Sequence, residues 1–258
     1  MKKLLLTATT ILLVLSMLSG CSKRQSEPPV ATEPATTPAE SITTPSVETT
    51  PVEPEDNASS VSINENYAPQ IERYYEAISN QWDDGAYFEH QMCPMVVHYY
   101  EENALDNVGF TFMDLDGDDN QELIIGAIMN SEQDPLIFEI WTLNNGEPVM
   151  LAQSGSRNRY YSQYSEEDGL WSIANEAENG AANHAVYYLQ LLDGKLEVTQ
   201  GILFDAVANE SAPWFMAYDL DWDVSNDMPI DEDTANAVME AGQKLYTAME
   251  YIPYSLYK

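Results

Sequence analysis

Apolar residues recur at helical spacing where the polar N-terminal part of the chain ends. The recurring side chains are Ile71, Tyr74, Ile78 and Trp82. This periodicity predicts a helix over residues 68–81, and Pro69 falls in the first turn, where a helix tolerates proline. A second helical stretch is predicted over residues 87–102, bent or restarted at Pro94, because proline lacks the amide hydrogen that a helix interior uses.

The middle of the chain changes to short apolar runs that are separated by turn residues. The runs on either side of residues 114–122 alternate like strands, and residues 214–218 form a further run. Turn signals that end in Gly join three more pairs of runs: residues 144–146, 167–169 and 193–194. Three successive hairpins predict an antiparallel β meander.

A last helix is predicted over residues 231–251, with Asp231 as its cap and Pro253 beyond its end. Its apolar stripe consists of Ala235, Val238, Met239, Leu245 and Met249. Gly242 falls in this stripe, at a cost of roughly 1 kcal/mol relative to Ala, which indicates a close packing contact. The pattern is that of an α+β domain, an antiparallel meander with two N-terminal helices and one C-terminal helix.

The first twenty residues have the layout of an export signal. Lys2 and Lys3 precede an apolar run over residues 4–18 that is short for a membrane span, and small residues stand directly before Cys21. This arrangement resembles the lipobox of bacterial lipoproteins, in which the peptide is cut before the cysteine and the thiol receives a diacylglycerol. The resemblance implies a signal peptide at residues 1–20 and a lipid anchor on Cys21. An ordinary secretory signal and a short anchor helix are the alternatives.

Residues 21–65 are rich in Pro, Thr, Ser, Glu and Ala and carry almost no large apolar side chain. Such a segment cannot bury enough surface to offset its chain entropy, so a disordered tether is predicted. About 40 such residues at about 3.1 Å each reach on the order of 100 Å when extended, which suits a cell wall and favours a Gram-positive host. Residues 66–258 are then predicted to form a single domain on the extracytoplasmic face of the cell membrane.

The charge of the mature chain limits the classes of partner. Without Lys2 and Lys3 the chain has eight basic and 43 acidic residues, a formal charge of −35. Nucleic acid and anionic lipid head groups would be repelled, whereas cations or a basic partner would be attracted. With a lipid on Cys21, Cys93 has no partner, so no disulfide framework is expected.

An acidic loop within residues 108–128 carries the strongest chemical signal in the chain. Oxygen-bearing residues stand at positions 1, 3, 5, 7 and 9 of the loop, and they are Asp114, Asp116, Asp118, Asn120 and Glu122. Ca²⁺ takes six to eight oxygen ligands at about 2.3–2.6 Å, and alternate residues of a tight loop can supply them, with Asn120 offering its backbone carbonyl. Four carboxylates so close together repel one another unless a cation neutralises them. The sequence predicts a Ca²⁺ site, and a solvated acidic turn is the alternative.

The flanks of this loop are strand-like and position 12 is Ile125 instead of a bidentate Glu, so an EF-hand fits poorly. The stretch resembles the strand–loop–strand calcium site of the FG-GAP repeat, with Asp119 where that repeat has Gly; Asp can enter the left-handed region at some cost. One motif does not predict a whole propeller. The overall layout resembles surface lipoproteins of Gram-positive bacteria that pair a Pro/Thr tether with one such loop, a group that supplies no activity to transfer.

Two weaker metal patterns also occur. Residues 219–227 repeat the acidic spacing, but Val224 stands at position 6 and a β-branched residue resists a positive φ, so an acidic surface turn is favoured over a second calcium site.

His90, Cys93 and His98 have the residue types of a zinc site without a fourth ligand. A small core residue at 93 with half-buried or exposed histidines is the favoured interpretation.

These features favour a cell-surface binding or sensing module with a structural calcium ion. Its ligand is unknown, and a glycan and a protein are the candidates. The aromatic side chains of the β region can stack on a ligand or fill the core, and the core is favoured for most of them. The alternative is a surface hydrolase acting on glycan or peptide, in which Arg157 and Arg159 hold a carboxylate or phosphate. No catalytic residue is identified, because the histidines form no known catalytic motif. A solute-binding subunit would need two lobes and more chain.

Overall fold

The computed structural model describes residues 64–100, 103–128 and 135–258. The predicted signal peptide, Cys21 and nearly all of the predicted tether lie outside these residues. The helices are α1 (Ala68–Ser79), α2 (Asp84–Glu89), α3 (Ala104–Asn107) and α4 (Glu232–Gln243), with 3₁₀ turns at Glu65–Tyr67, Pro94–Tyr99, Val224–Asn226 and Tyr254–Leu256. Within the described residues, no helix is both long and apolar enough to cross a membrane.

The strands of the described chain form one antiparallel sheet of eleven strands. They are β1 (Val108–Met113), β2 (Glu122–Ala127), β3 (Leu136–Asn144), β4 (Glu147–Gln153), β5 (Asn158–Ser165), β6 (Leu170–Glu178), β7 (Asn183–Leu192), β8 (Lys195–Asp205), β9 (Trp214–Ala217), β10 (Met228–Pro229) and β11 (Ile252–Pro253). Their spatial order is β10-β9-β8-β7-β6-β5-β3-β2-β1-β11, and β4 pairs with β3. The prediction of an antiparallel sheet with a few helices is confirmed.

Turn residues with positive φ close the hairpins. Asn145 and Gly146 have φ of 54° and 82°, and Asp193 and Gly194 have φ of 51° and 73°. Two consecutive residues in this region make the tight turn whose twist matches the flanking strands. The sequence signals at 144–146 and 193–194 therefore mark real strand connections, since the strands on either side pair directly.

The sheet buries side chains on both faces around β2, in which all six residues are buried. On one face, Phe110, Leu123 and Phe138 pack under α1, α2 and the turn that follows α2. On the other face, Ile124 and Ile140 belong to a second cluster that extends to β7, β8 and β9. The alternation of Leu123 and Ile124 between the two clusters follows from the period of two in a strand.

The first predicted helix is confirmed as α1, which ends two residues earlier than predicted, and the second is confirmed in part: helical structure restarts at Pro94 as predicted, but as a 3₁₀ turn. The described part of this stretch, residues 87–100, contains the end of α2, a break and a 3₁₀ turn that begins at Pro94. Gln91 has φ of 54°, which a helix cannot contain, and Cys93 is extended because a residue before proline avoids the helical region. A separate short helix, α3, begins after Asn103, whose φ is 73°.

The predicted C-terminal helix is correct at its start and wrong beyond residue 243. The side chain of Asp231 accepts a hydrogen bond from Thr234 N, as a cap should, but α4 ends at Gln243. The following residues hydrogen-bond to β5 instead: Tyr164 N donates to Leu245 O at 2.9 Å and Thr247 N donates to Ser162 O at 3.0 Å. These tertiary bonds replace the helical ones. Leu245, which was predicted to belong to the apolar stripe of the helix, is exposed.

Candidate metal centre

The loop between β1 and β2 brings three carboxylates together. The two strands pair up to Met113 and Glu122, so residues 114–121 close a tight connection between the strands. One carboxylate oxygen from each of Asp114, Asp116 and Glu122 lies within 4.8 Å of those of the other two. Three of the five residues predicted as ligands thus share one site, and this is the one such group among the described Asp, Glu, His and Cys residues.

The backbone of the loop wraps around the carboxylate of Asp114. Its Oδ1 accepts hydrogen bonds from Gly117 N at 2.7 Å and Asp118 N at 3.2 Å, and its Oδ2 accepts one from Asp119 N at 3.1 Å. Gly117 and Asp119 have φ of 76° and 69°. Asp119 thus adopts the left-handed conformation that the sequence analysis allowed it. This curvature allows the carboxylates of positions 1 and 3 to turn toward the same point.

Glu122 anchors the site in the sheet. It is 2% exposed, its Oε2 accepts a hydrogen bond from Leu115 N at 3.0 Å, and its Oε1 accepts one from Thr142 Oγ1 at 2.9 Å. Burial raises the pKa of Glu122, and the nearby charges of Asp116 and Asp118 raise it further. The position of its carboxylate is thus fixed by the loop, through Leu115, and by β3, through Thr142.

Asp116 is the least satisfied member of the group. Its Oδ1 is buried and has no hydrogen-bond partner. Burial, followed by the charges of Asp118 and Asp114, raises the pKa of its carboxyl group. An ionised oxygen without a donor is costly in such a place, and a cation between Asp114, Asp116 and Glu122 would neutralise all three.

Asp118 and Asn120, which the sequence also predicts as ligands, contact each other. The carboxylate of Asp118 accepts hydrogen bonds from Asn120 N at 2.8 Å and Asn120 Nδ2 at 2.9 Å, and these bonds lower the pKa of Asp118. Two residues that hold the loop were not predicted from the sequence. Thr142 donates to Glu122, and the hydroxyl group of Tyr67 donates to Gln121 O at 3.0 Å. Neither has a local signal, because each reaches the loop from a segment distant in sequence.

The second acidic loop has a different geometry. Asp219 Oδ1 accepts from Asp221 N at 3.2 Å, and Asp221 Oδ1 accepts from Asp223 N at 2.7 Å, so each carboxylate turns to the backbone two residues on. The described residues of this loop form no convergent carboxylate group. Asp227 Oδ2 is buried and has no hydrogen-bond partner. Burial is the main cause that raises the pKa of Asp227, and the charge of Asp219 is the second. Unlike Asp114, Asp116 and Glu122, the carboxylates of this loop do not converge on one point among the described residues.

His90, Cys93 and His98 form no metal-binding group among the described residues. Cys93 is fully buried, and its Sγ donates to Ser154 O at 3.1 Å. Burial raises the pKa of the thiol to about 12, so it is not ionised at neutral pH. The ring of His90 packs against Trp82, with ring centroids 4.5 Å apart.

Glu139 is a buried charged residue that the sequence did not single out. It is 1% exposed and accepts hydrogen bonds from Cys93 N at 3.2 Å, Trp141 Nε1 at 2.9 Å and Gln153 Nε2 at 2.9 Å. Burial raises the pKa of its carboxyl group. Its donors come from the segment after α2 and from β3 and β4, so Glu139 joins these parts of the domain.

Comparisons with known proteins do not identify the chain. No family model, no curated protein and no solved structure matches it.

Proposed function

We propose that this chain is a lipid-anchored binding module on the extracytoplasmic face of the cell membrane, with Ca²⁺ as a structural ion in the loop 114–122. The observation that carries the calcium part is the convergence of Asp114, Asp116 and Glu122 on one point. The lipid anchor rests on the sequence around Cys21, which lies outside the described residues.

The donor set favours Ca²⁺ over other common metals. All of its side-chain ligands are carboxylate oxygens, whereas structural zinc sites in proteins use sulfur and nitrogen. Asp118 and Asn120 are exposed, and the hydrogen bonds of the Asp118 carboxylate to Asn120 lie at the surface, where they can be exchanged for contacts with an ion. The flexible coordination of Ca²⁺ tolerates such an incomplete set with water, while Mg²⁺ demands a near-ideal octahedron.

The ion is structural because of where the loop stands. It connects β1 to the fully buried β2, and Glu122 is the first residue of β2. A cation that fixes Glu122 fixes the start of a central strand. The function of binding a ligand then belongs to other surfaces of the domain. No observation in the described residues favours the hydrolase, and the guanidinium group of Arg159 donates to Ser156 O at 3.1 Å.

Calorimetric titration of the purified protein with CaCl₂ tests the metal site. We expect one ion per chain, with a dissociation constant of about 10⁻⁴–10⁻³ M, as in extracellular modules. Glu122→Gln should weaken binding at least about tenfold, because the amide keeps the volume but loses the charge. The matched control is Asp223→Asn in the second loop, which should bind as the parent does. Equal heats for the parent and for Glu122→Gln would refute the site.

The lipid anchor is tested by Cys21→Ser. Because the thiol is the attachment point that the lipobox resemblance implies, this variant should leave the membrane fraction nearly completely, as followed by immunoblotting of fractionated cells. Ser22→Ala is the control and should stay membrane-bound. A Cys21→Ser protein that stays as firmly in the membrane as the parent would favour an uncleaved anchor helix.

A further inference from the structure

A depression of about 860 Å³ lies beside the start of α4, where β8 and β10 end and β9 begins. Its apolar walls are Phe204, Ala212, Pro213, Trp214, Pro229 and Ile230. The polar part of the lining consists of three acidic residues, Glu210, Asp231 and Glu232, together with Ser211 and Thr234. The volume is within the range of small-molecule sites, and the combination of aromatic faces with a few polar groups is typical of them.

The two aromatic rings of the wall, Phe204 and Trp214, contact a third ring outside the lining, that of His184 on the adjacent strand β7. His184 pairs with Phe204, and Phe204 pairs with Trp214, so the three rings form a row on one face of β7, β8 and β9. Ring centroids are 4.7 Å apart for His184 and Phe204 and 4.8 Å apart for Phe204 and Trp214. Burial lowers the pKa of His184, so its ring is neutral at pH 7 and adds no positive charge. The faces of such rings carry partial negative charge.

The depression also has a negative charge that is not neutralised locally. None of its lining residues is Lys, Arg or His. Asp231 Oδ1 accepts a hydrogen bond from Thr234 N at 2.7 Å, which lowers the pKa of Asp231 and keeps it ionised. The positive end of α4 is equivalent to about half an elementary charge, so it cannot balance Asp231 and Glu232 together.

The loop that forms one side of the depression is held in place by its own side chains. Asp205 is 7% exposed, and its Oδ1 accepts hydrogen bonds from Val207 N at 2.8 Å and Ala208 N at 2.9 Å. On the other side, Ile230 N donates to Trp214 O at 3.0 Å, which fixes the strand end that carries the indole. A site formed in advance loses little entropy when a ligand enters.

We propose that this depression binds a small organic cation, with an ammonium group placed against Trp214 and Phe204 and balanced by the carboxylates of Glu210, Asp231 and Glu232. An ammonium group is attracted to ring faces and to carboxylates at once, whereas an anion is repelled by both. The inference rests on the proposed binding role and names the class of its ligand. It is independent of the calcium loop and of the lipid anchor.

Choline and 3,3-dimethyl-1-butanol form a matched pair of probes, because they have the same shape and differ in charge. Calorimetric titration of the full mature protein in detergent, with calcium present, should show choline binding at least about tenfold more tightly than the alcohol. Raised salt should weaken choline binding. Equal binding of the two probes, or binding of a neutral disaccharide with no binding of choline, would overturn the proposal.

Two variants locate the probe. Trp214→Leu keeps an apolar side chain but removes the ring face, and should weaken choline binding about tenfold, while Glu210→Gln should weaken it severalfold. Glu197→Gln, at an exposed position of β8 away from the depression, is the control for the change in charge and should bind as the parent does. Choline binding that survives Trp214→Leu unchanged would place the site elsewhere. Calcium titration of the same samples separates this failure from a failure of the metal site.

Discussion

Gly242→Ala is expected to destabilise the domain by about 1–3 kcal/mol, although alanine is the better helix former. A Cβ atom at this buried position in α4 would lie 2.2 Å from Tyr188 Oη and 2.3 Å from Tyr188 Cζ. The ring is stiff, and its hydroxyl group donates to Val238 O at 3.4 Å in the same helix, so it can move only if the helix is displaced from β7. At about 2–4 °C per kcal/mol for a domain of this size, thermal melts should show a midpoint lower by about 2–12 °C.

Two further variants make the cause of this loss measurable. Gly155 has no heavy atom within 4 Å of an added Cβ and no positive φ, so Gly155→Ala should leave the midpoint nearly unchanged. Tyr188→Leu in the Gly242→Ala background should restore part of the loss, because the shorter side chain makes room for the methyl group. If Gly242→Ala melted at or above the parent temperature, the contact between α4 and β7 would be looser than its geometry indicates.

The same contact shows what the local sequence pattern can predict in this chain. A glycine inside an apolar stripe was sufficient to predict close packing, and Tyr188 supplies the partner that the sequence could not name. Hairpins were predictable for a similar reason, because Asn145-Gly146 and Asp193-Gly194 encode their turns within two residues. These features depend on neighbours in sequence or on the demands of one backbone position.

The helix errors have the opposite cause. Beyond Gln243 the residues have a helical pattern, but hydrogen bonds to Ser162 and Tyr164 of β5 hold them beside the sheet. The break at Gln91 has no clear local signal either, since glutamine is not a residue that favours positive φ. Tertiary contacts decide both cases, and propensity is a weak guide against them.

The candidate sites show the same difference between features set by local sequence and features set by tertiary contacts. The spacing of Asp114, Asp116 and Glu122 could be read directly because one short loop carries all three. The hydroxyl group of Thr142, which holds Glu122, comes from β3 and could not be placed from the sequence. The proposed cation site was also invisible, because its walls come from β8, β9 and the start of α4, which only the fold brings together.

Calcium is expected to stabilise the folded domain, because the folded loop gathers carboxylates that the unfolded chain disperses. The gain is RT ln(1 + [Ca²⁺]/Kd), about 2.7 kcal/mol at a hundredfold excess over Kd and on the order of 1 kcal/mol at millimolar calcium. Thermal melts of the parent in calcium and in chelator should therefore differ by a few degrees. Asp116→Ala should remove this difference, whereas Asp221→Ala in the second loop should keep it.

The sign of the Asp116→Ala effect without calcium separates a metal ligand from an ordinary structural residue. Asp116 Oδ1 is buried without a donor and the pKa of the carboxyl group is raised, so in chelator its removal should leave the midpoint unchanged or higher. In calcium the same variant should melt below the parent. A variant that melts lower than the parent by the same amount in both buffers would show that Asp116 supports the loop without an ion.

The pH dependence of the calcium gain follows from the same carboxylates. Because the pKa values of Asp116 and Glu122 are raised in the folded loop, the metal-free protein binds their protons more tightly than the unfolded chain does. The contribution of these two groups to stability in chelator should then fall as the pH rises from about 4 through their folded pKa values. Calcium reverses this trend, because it needs both groups ionised and is displaced as they take up protons. The difference in midpoint between calcium and chelator should thus be largest near pH 7.5 and shrink as the pH falls through the folded pKa values toward about 4. A difference that is the same at both ends of this range would exclude these carboxylates as the ligands.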